Sequence, residues 1–125
     1  MIAGVCVAAL LGCGCGGGDD DPSEATPAAV DLTVVVNPRG GDGAVRKRHI
    51  RCERLGSKGC RNLAGLTAEQ LKPVPEGTAC TQIYGGPATA RVRGHLSGAV
   101  VDARFDRTDG CQIERRDRNR VLLGD

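Results

Sequence analysis

Residues 88–113, ATARVRGHLSGAVVDARFDRTDGCQI, alternate with a period of two. Ala88, Ala90, Val92, Gly94 and Leu96 fall on one face, with Thr89, Arg91, Arg93 and His95 on the other, the pattern of a half-buried strand. Ser97-Gly98 reads as a tight turn, after which Val101, Ala103 and Phe105 alternate against Asp102, Arg104 and Asp106. Asp109-Gly110 reads as a second tight turn, leading into a last strand that carries Cys111, Ile113 and Arg115. Three consecutive antiparallel strands are therefore expected in the C-terminal third.

The same reading extends towards the N-terminus. Val30, Leu32, Val34 and Val36 share one face of VDLTVVV, with Asp31 and Thr33 opposite, predicting a strand over 30–36. Asn37-Pro38-Arg39-Gly40-Gly41-Asp42-Gly43 is a dense turn signal. A second strand is expected over 45–52, with Ile50 and Cys52 inward and basic side chains outward. Thr67-Ala68-Glu69-Gln70 fits a helix-starting capping box, Pro73 stops the run, and Leu63, Leu66 and Leu71 supply apolar contacts. The class is α+β, an antiparallel sheet with one or two short helices, forming one domain over 30–125. Tyr84 and Phe105 are the only aromatic residues, so the core must be aliphatic and covalent staples would help it.

Residues 1–29 read as an address and a spacer. Residues 2–11, IAGVCVAALL, form an apolar run of signal-peptide length, too short for a stable bilayer span. Leu10-Leu11-Gly12-Cys13 resembles the lipobox of bacterial lipoproteins, which implies removal of residues 1–12 and lipid attachment at Cys13. Residues 13–29, rich in Gly, Asp, Pro, Ser and Ala without apolar periodicity, read as a flexible tether.

Export leaves Cys52, Cys60, Cys80 and Cys111 for the folded part, and four cysteines in a small exported domain imply two disulfides. Three pairings are open. A zinc site is not expected, because the spacings of eight, twenty and thirty-one contain no CxxC pair and only His49 and His95 could supplement the sulfurs. No cofactor motif is present, and no serine or carboxylate follows a nucleophile-elbow pattern, so an enzyme is not expected.

Cys80 to Pro87, CTQIYGGP, together with the alternating segment 90–113, the LTVVV strand and the order of the four cysteines, resembles the bacterial subtilisin inhibitors. These are exported protein inhibitors of serine proteases. The resemblance covers residues 32–123 and implies a five-stranded antiparallel sheet covered on one side by two short helices, with Cys52 paired to Cys60 and Cys80 to Cys111. It also implies a reactive loop of Cys80, Thr81, Gln82, Ile83 and Tyr84, the bond Gln82–Ile83 being offered to the protease in substrate-like fashion. The implied partner is a serine protease, subtilisin-like or trypsin-like, and a homodimer is a further expectation. Four features depart from the family pattern: Gln82 at the primary position, Gly85-Gly86-Pro87 after Tyr84, which gives the loop exit more freedom, Arg115-Arg116 where a Trp often stands, and the close spacing of Cys52 and Cys60.

A second reading is a cell-surface protein-binding module of the same fold that does not inhibit proteases. Arg46-Lys47-Arg48-His49-Ile50-Arg51 raises polyanion binding, and residues 28–125 hold seventeen basic against eleven acidic side chains. Nucleic acid is not expected, since aromatic residues for base stacking are missing and the chain reads as extracytoplasmic, secreted or held at the membrane by its N-terminal lipid.

Overall fold

Apolar residues at every second position build the central strand, β1 (Val30–Asn37), whose Val30, Leu32, Val34 and Val36 are buried while Asp31, Thr33 and Val35 are half-buried on the other face. It pairs antiparallel with β2 (Arg46–Cys52) on one side and with β3 (Thr89–Leu96) on the other. β4 (Ala99–Phe105) pairs antiparallel with β3, giving the order β2-β1-β3-β4. The computed structural model describes residues 29–125; the apolar run 2–11, Cys13 and the spacer as far as residue 28 lie outside the described residues.

Ser97 and Gly98 form the two-residue turn between β3 and β4, as their sequence predicts. Both have positive φ, 49° and 85°, the geometry whose twist matches that of paired strands. The Asn37–Gly43 turn is held by its first residue: the Asn37 side chain donates to the Gly41 carbonyl at 2.9 Å and accepts from the Arg39 N–H at 3.2 Å.

The strand expected over Cys111–Arg115 is a helix. The described residues contain four strands, and the chain after β4 forms α1 (Gly110–Arg118) followed by the single turn α2 (Arg120–Leu123). Asp109 is the cause: its carboxylate accepts the Gln112 backbone N–H at 2.9 Å, so Asp109-Gly110 starts a helix instead of turning a hairpin. The inward positions Arg115, Arg116, Asn119, Leu122 and Leu123 recur at helical spacing. Three of the five are polar, which hides the period from a search for apolar residues.

The buried strand faces, Leu63, Leu66 and Leu71 from the connecting segment, and Leu122 and Leu123 from α2 form one aliphatic core, with Phe105 as its aromatic member. The capping-box segment makes only a 3-10 turn, Ala68–Leu71, in which the Thr67 N–H donates to Gln70 Oε1 at 3.0 Å. Disulfides join Cys52 to Cys60 and Cys80 to Cys111. Two disulfides in so small a domain suit an extracytoplasmic protein. No helix among the described residues is long and apolar enough to cross a membrane.

Arg115 joins the layers. It is 4% exposed, and its guanidinium lies 4.1 Å from the Phe105 ring centre. It donates to the carbonyls of Leu71 and Lys72, both at 2.7 Å, and to that of Arg104. Burial pushes its pKa down from the ordinary arginine value. Beside it the Asn119 amide donates to the carbonyls of Gln70 at 3.2 Å and Arg115 at 2.9 Å. Arg115→Met, which keeps the stem and strands three carbonyls, should lower stability by about 2–4 kcal/mol in urea titration. Arg115→Lys should recover less than half of that, because an ammonium cannot span the three acceptors.

On the opposite face of the sheet Arg91 donates twice to Asp102, at 3.1 Å each, and His49 lies 2.6 Å from Asp31. Both carboxyls are held below their ordinary pKa, Asp102 first by the bond from Arg91 and Asp31 first by the bond from His49. A depressed carboxyl favours the folded state above the unfolded pKa of about 3.9 and loses that advantage as pH falls through the folded value. Thermal melts between pH 5 and 2 should therefore fall less steeply for Asp102→Asn than for the natural chain.

Candidate functional site

Residues 81–86 run without regular secondary structure towards the start of β3 and are fastened at both ends to the segment that enters α1. At the first end the Gly110 N–H donates to the Thr81 carbonyl at 2.9 Å, next to the Cys80–Cys111 disulfide. At the second the Gly85 N–H donates to the Arg107 carbonyl at 2.7 Å, while Arg107 Nε donates back to the Gly85 carbonyl at 2.9 Å. Arg107 is itself tied to α1 by an ion pair with Asp117 at 3.2 Å.

Between these anchors lie Gln82, Ile83 and Tyr84. Their backbone N–H and C=O groups make no hydrogen bond to backbone among the described residues, and Ile83 and Tyr84 are 59% and 66% exposed. Of the two aromatic rings, Phe105 fills the core and Tyr84 points to solvent. The Gln82 amide folds back to donate to the Cys80 carbonyl at 3.3 Å.

Two glycines set how closely the loop sits on its support. A Cβ at Gly110 would lie 1.9 Å from Thr81 Oγ1, and one at Gly85 would lie 2.8 Å from the Ile113 side chain. Gly85 is thus fixed by two hydrogen bonds and a tight contact, although the sequence reads Gly85-Gly86 as added freedom at the loop exit. The departure from the family pattern adds no slack at Gly85.

All five residues of the expected reactive loop, Cys80, Thr81, Gln82, Ile83 and Tyr84, come together in this one segment. The disulfide reaches it from the first turn of α1, whereas the sequence reading had it coming from a last strand. The sulfurs of Cys80 and Cys111 and a carboxylate oxygen of Asp109 lie within 4.8 Å of one another, but the sulfurs are bonded together and offer no thiolate. His49 and His95 stand on the outer face of the sheet, remote from the loop in the strand register.

Arg107, Asp109, Gly110 and Ile113 escaped sequence reasoning as the loop's supports. The available signal was Asp109 three residues before Gln112, an N-cap spacing that the hairpin reading overrode. A comparison of the chain with models of known protein families, with curated proteins and with solved structures found no match.

Replacing Cys80 and Cys111 together by Ser should lower stability by about 3–4 kcal/mol on the chain-entropy model. Limited proteolysis of that variant should make its first cut within residues 81–86, as read by mass spectrometry.

Proposed function

We propose that this chain is an exported serine-protease inhibitor, anchored to the membrane through Cys13, that binds by presenting Gln82–Ile83 as its reactive bond. One observation carries the reading: among the described residues the backbone of Gln82, Ile83 and Tyr84 has no hydrogen-bond partner, and the three are exposed between two hydrogen-bonded anchors beside a disulfide. A protease binds substrate as an extended strand through such backbone groups, with one side chain in its primary pocket. Holding the loop beforehand removes ordering costs of roughly 0.5–1.5 kcal/mol for each side chain fixed on binding. Tyr84 adds the kind of exposed ring that dominates contact energies when it is buried by a partner.

The anchors also account for inhibition in place of digestion. After a protease serine attacks the Gln82 carbonyl, the chain before the cut is held by the Cys80–Cys111 bond and the Thr81–Gly110 hydrogen bond. The chain after it is held at Gly85 by Arg107. The Ile83 amine therefore stays beside the acyl group, and resealing competes with loss of product.

The topology suits an anchored inhibitor. The loop leads into Thr89, which lies opposite Asn37 at the far end of β1, whereas the N-terminal segment enters at Val30. Eight strand residues separate the two ends by on the order of 25 Å. The N-terminal entry and the loop therefore lie at opposite ends of β1.

Titration against a panel of serine proteases tests the reading. Stoichiometric inhibition with slow, reversible cleavage between Gln82 and Ile83 is expected, and ordinary digestion or absence of binding would refute it. An apolar primary pocket leaves the Gln82 amide unpaired at a cost of roughly 1–3 kcal/mol. Gln82→Met should therefore tighten inhibition of subtilisin by about 10- to 100-fold. Tight binding of a partner with no effect on proteolysis would instead favour a cell-surface binding module.

A further inference from the structure

The outer face of the sheet is a flat array of cations. The strand register places its side chains in three rows across β2, β1, β3 and β4: Lys47, Val35, Arg91, Arg104; then His49, Thr33, Arg93, Asp102; then Arg51, Asp31, His95, Val100. Five lysine and arginine side chains stand against two carboxylates. Both carboxylates are engaged, Asp102 by Arg91 and Asp31 by His49, while Lys47, Arg51, Arg93 and Arg104 make no ion pair among the described residues. Arg91 and Arg104 are direct cross-strand partners, a pairing that like charge makes unfavourable. The face thus keeps an excess of three lysine and arginine charges over its carboxylates, which an external anion would offset.

From this array we infer that the outer face seats on an anionic phospholipid surface, an inference that rests on the membrane-anchored part of the proposed function. The rows span roughly 14 Å in each direction, from about 4.8 Å between strands and about 6.7 Å between alternate residues. The face carries no Phe, Tyr or Trp side chain on which a base could stack, so its chemistry matches a broad array of headgroups better than single-stranded nucleic acid. A second copy of the chain would bring like charge against like. The apolar run 2–11 and Cys13 lie within thirty residues of Val30, which keeps such a surface within reach of the domain. Each basic side chain near an anionic leaflet strengthens attachment, and salt weakens it.

Sedimentation of the full-length, unlipidated chain with vesicles tests the inference. The probes are pure phosphatidylcholine and a 7:3 mixture of phosphatidylcholine and phosphatidylglycerol. The natural chain should partition at least tenfold more strongly onto the anionic vesicles at about 0.05 M salt and lose most of that preference at about 0.5 M. The variant Lys47→Gln, Arg93→Gln, Arg104→Gln should lose the preference while keeping its neutral-vesicle partition and its melting temperature. A control that removes three cations away from this face, Arg61→Gln, Arg118→Gln, Arg120→Gln, should retain it. Equal partition on both vesicles, or equal losses in the two variants, would overturn the inference. So would a preference for polyphosphate or single-stranded DNA that the face variant alone loses, with none for anionic vesicles. Because the readout needs neither lipid on Cys13 nor a protease, mass spectrometry of the exported chain decides lipidation separately and the protease panel decides inhibition.

Discussion

The guanidinium of Arg115 is the contact on which the rest of the domain depends. The inward side chains of α1 are Arg115 and Arg116, so hydrogen bonds join this helix to the sheet while the leucines of α2 complete the aliphatic core. Arg115 reaches from α1 to carbonyls in the 71–72 segment and in β4 while its plane covers Phe105. It is paired with peptide oxygens and not with a carboxylate, so the arrangement holds one buried charge with dispersed partial charges around it. The planar fork satisfies three such acceptors at once through Nε and both terminal nitrogens.

The loop inherits its shape from that closure. α1 begins at Gly110 and carries Cys111, and these two residues hold Thr81 and Cys80. Arg107, on the approach to the helix, holds Gly85. Fixing α1 against the sheet therefore fixes both ends of the segment between, and leaves Gln82, Ile83 and Tyr84 with backbone groups unspent. Rigidity in this loop comes from its supports, since it has no secondary structure of its own.

The two faces of the sheet are put to different uses. The inner face is aliphatic and covered; the outer face is cationic and open, with Arg91–Asp102 and His49–Asp31 as its internal pairs. Alternation along each strand makes this division automatic once the register is set. An arginine moved by one position would exchange core for surface.

Local chemistry made β1, the β3–β4 hairpin and the Asn37–Gly43 turn readable, because period-two alternation and turn residues act over a few neighbours. The loop segment was legible for the same reason, as a run of CTQIYGGP without periodicity beside a cysteine. The C-terminal helix was not. Its inward positions are Arg115, Arg116 and Asn119 as well as leucines, and a polar residue is recognisable as interior only when its partners are known. The partners of Arg115 and Asn119 include the carbonyls of Leu71, Lys72 and Gln70, more than forty residues away, while Arg116 pairs with the Asp125 carboxylate at 3.0 Å. The sequence by itself thus determined β1 to β4, the Asn37–Gly43 and Ser97–Gly98 turns and the exposed loop. Tertiary structure alone decided which polar side chains of the final helix face inward and that Gly85 is held by two hydrogen bonds, because both follow from contacts between residues distant in sequence.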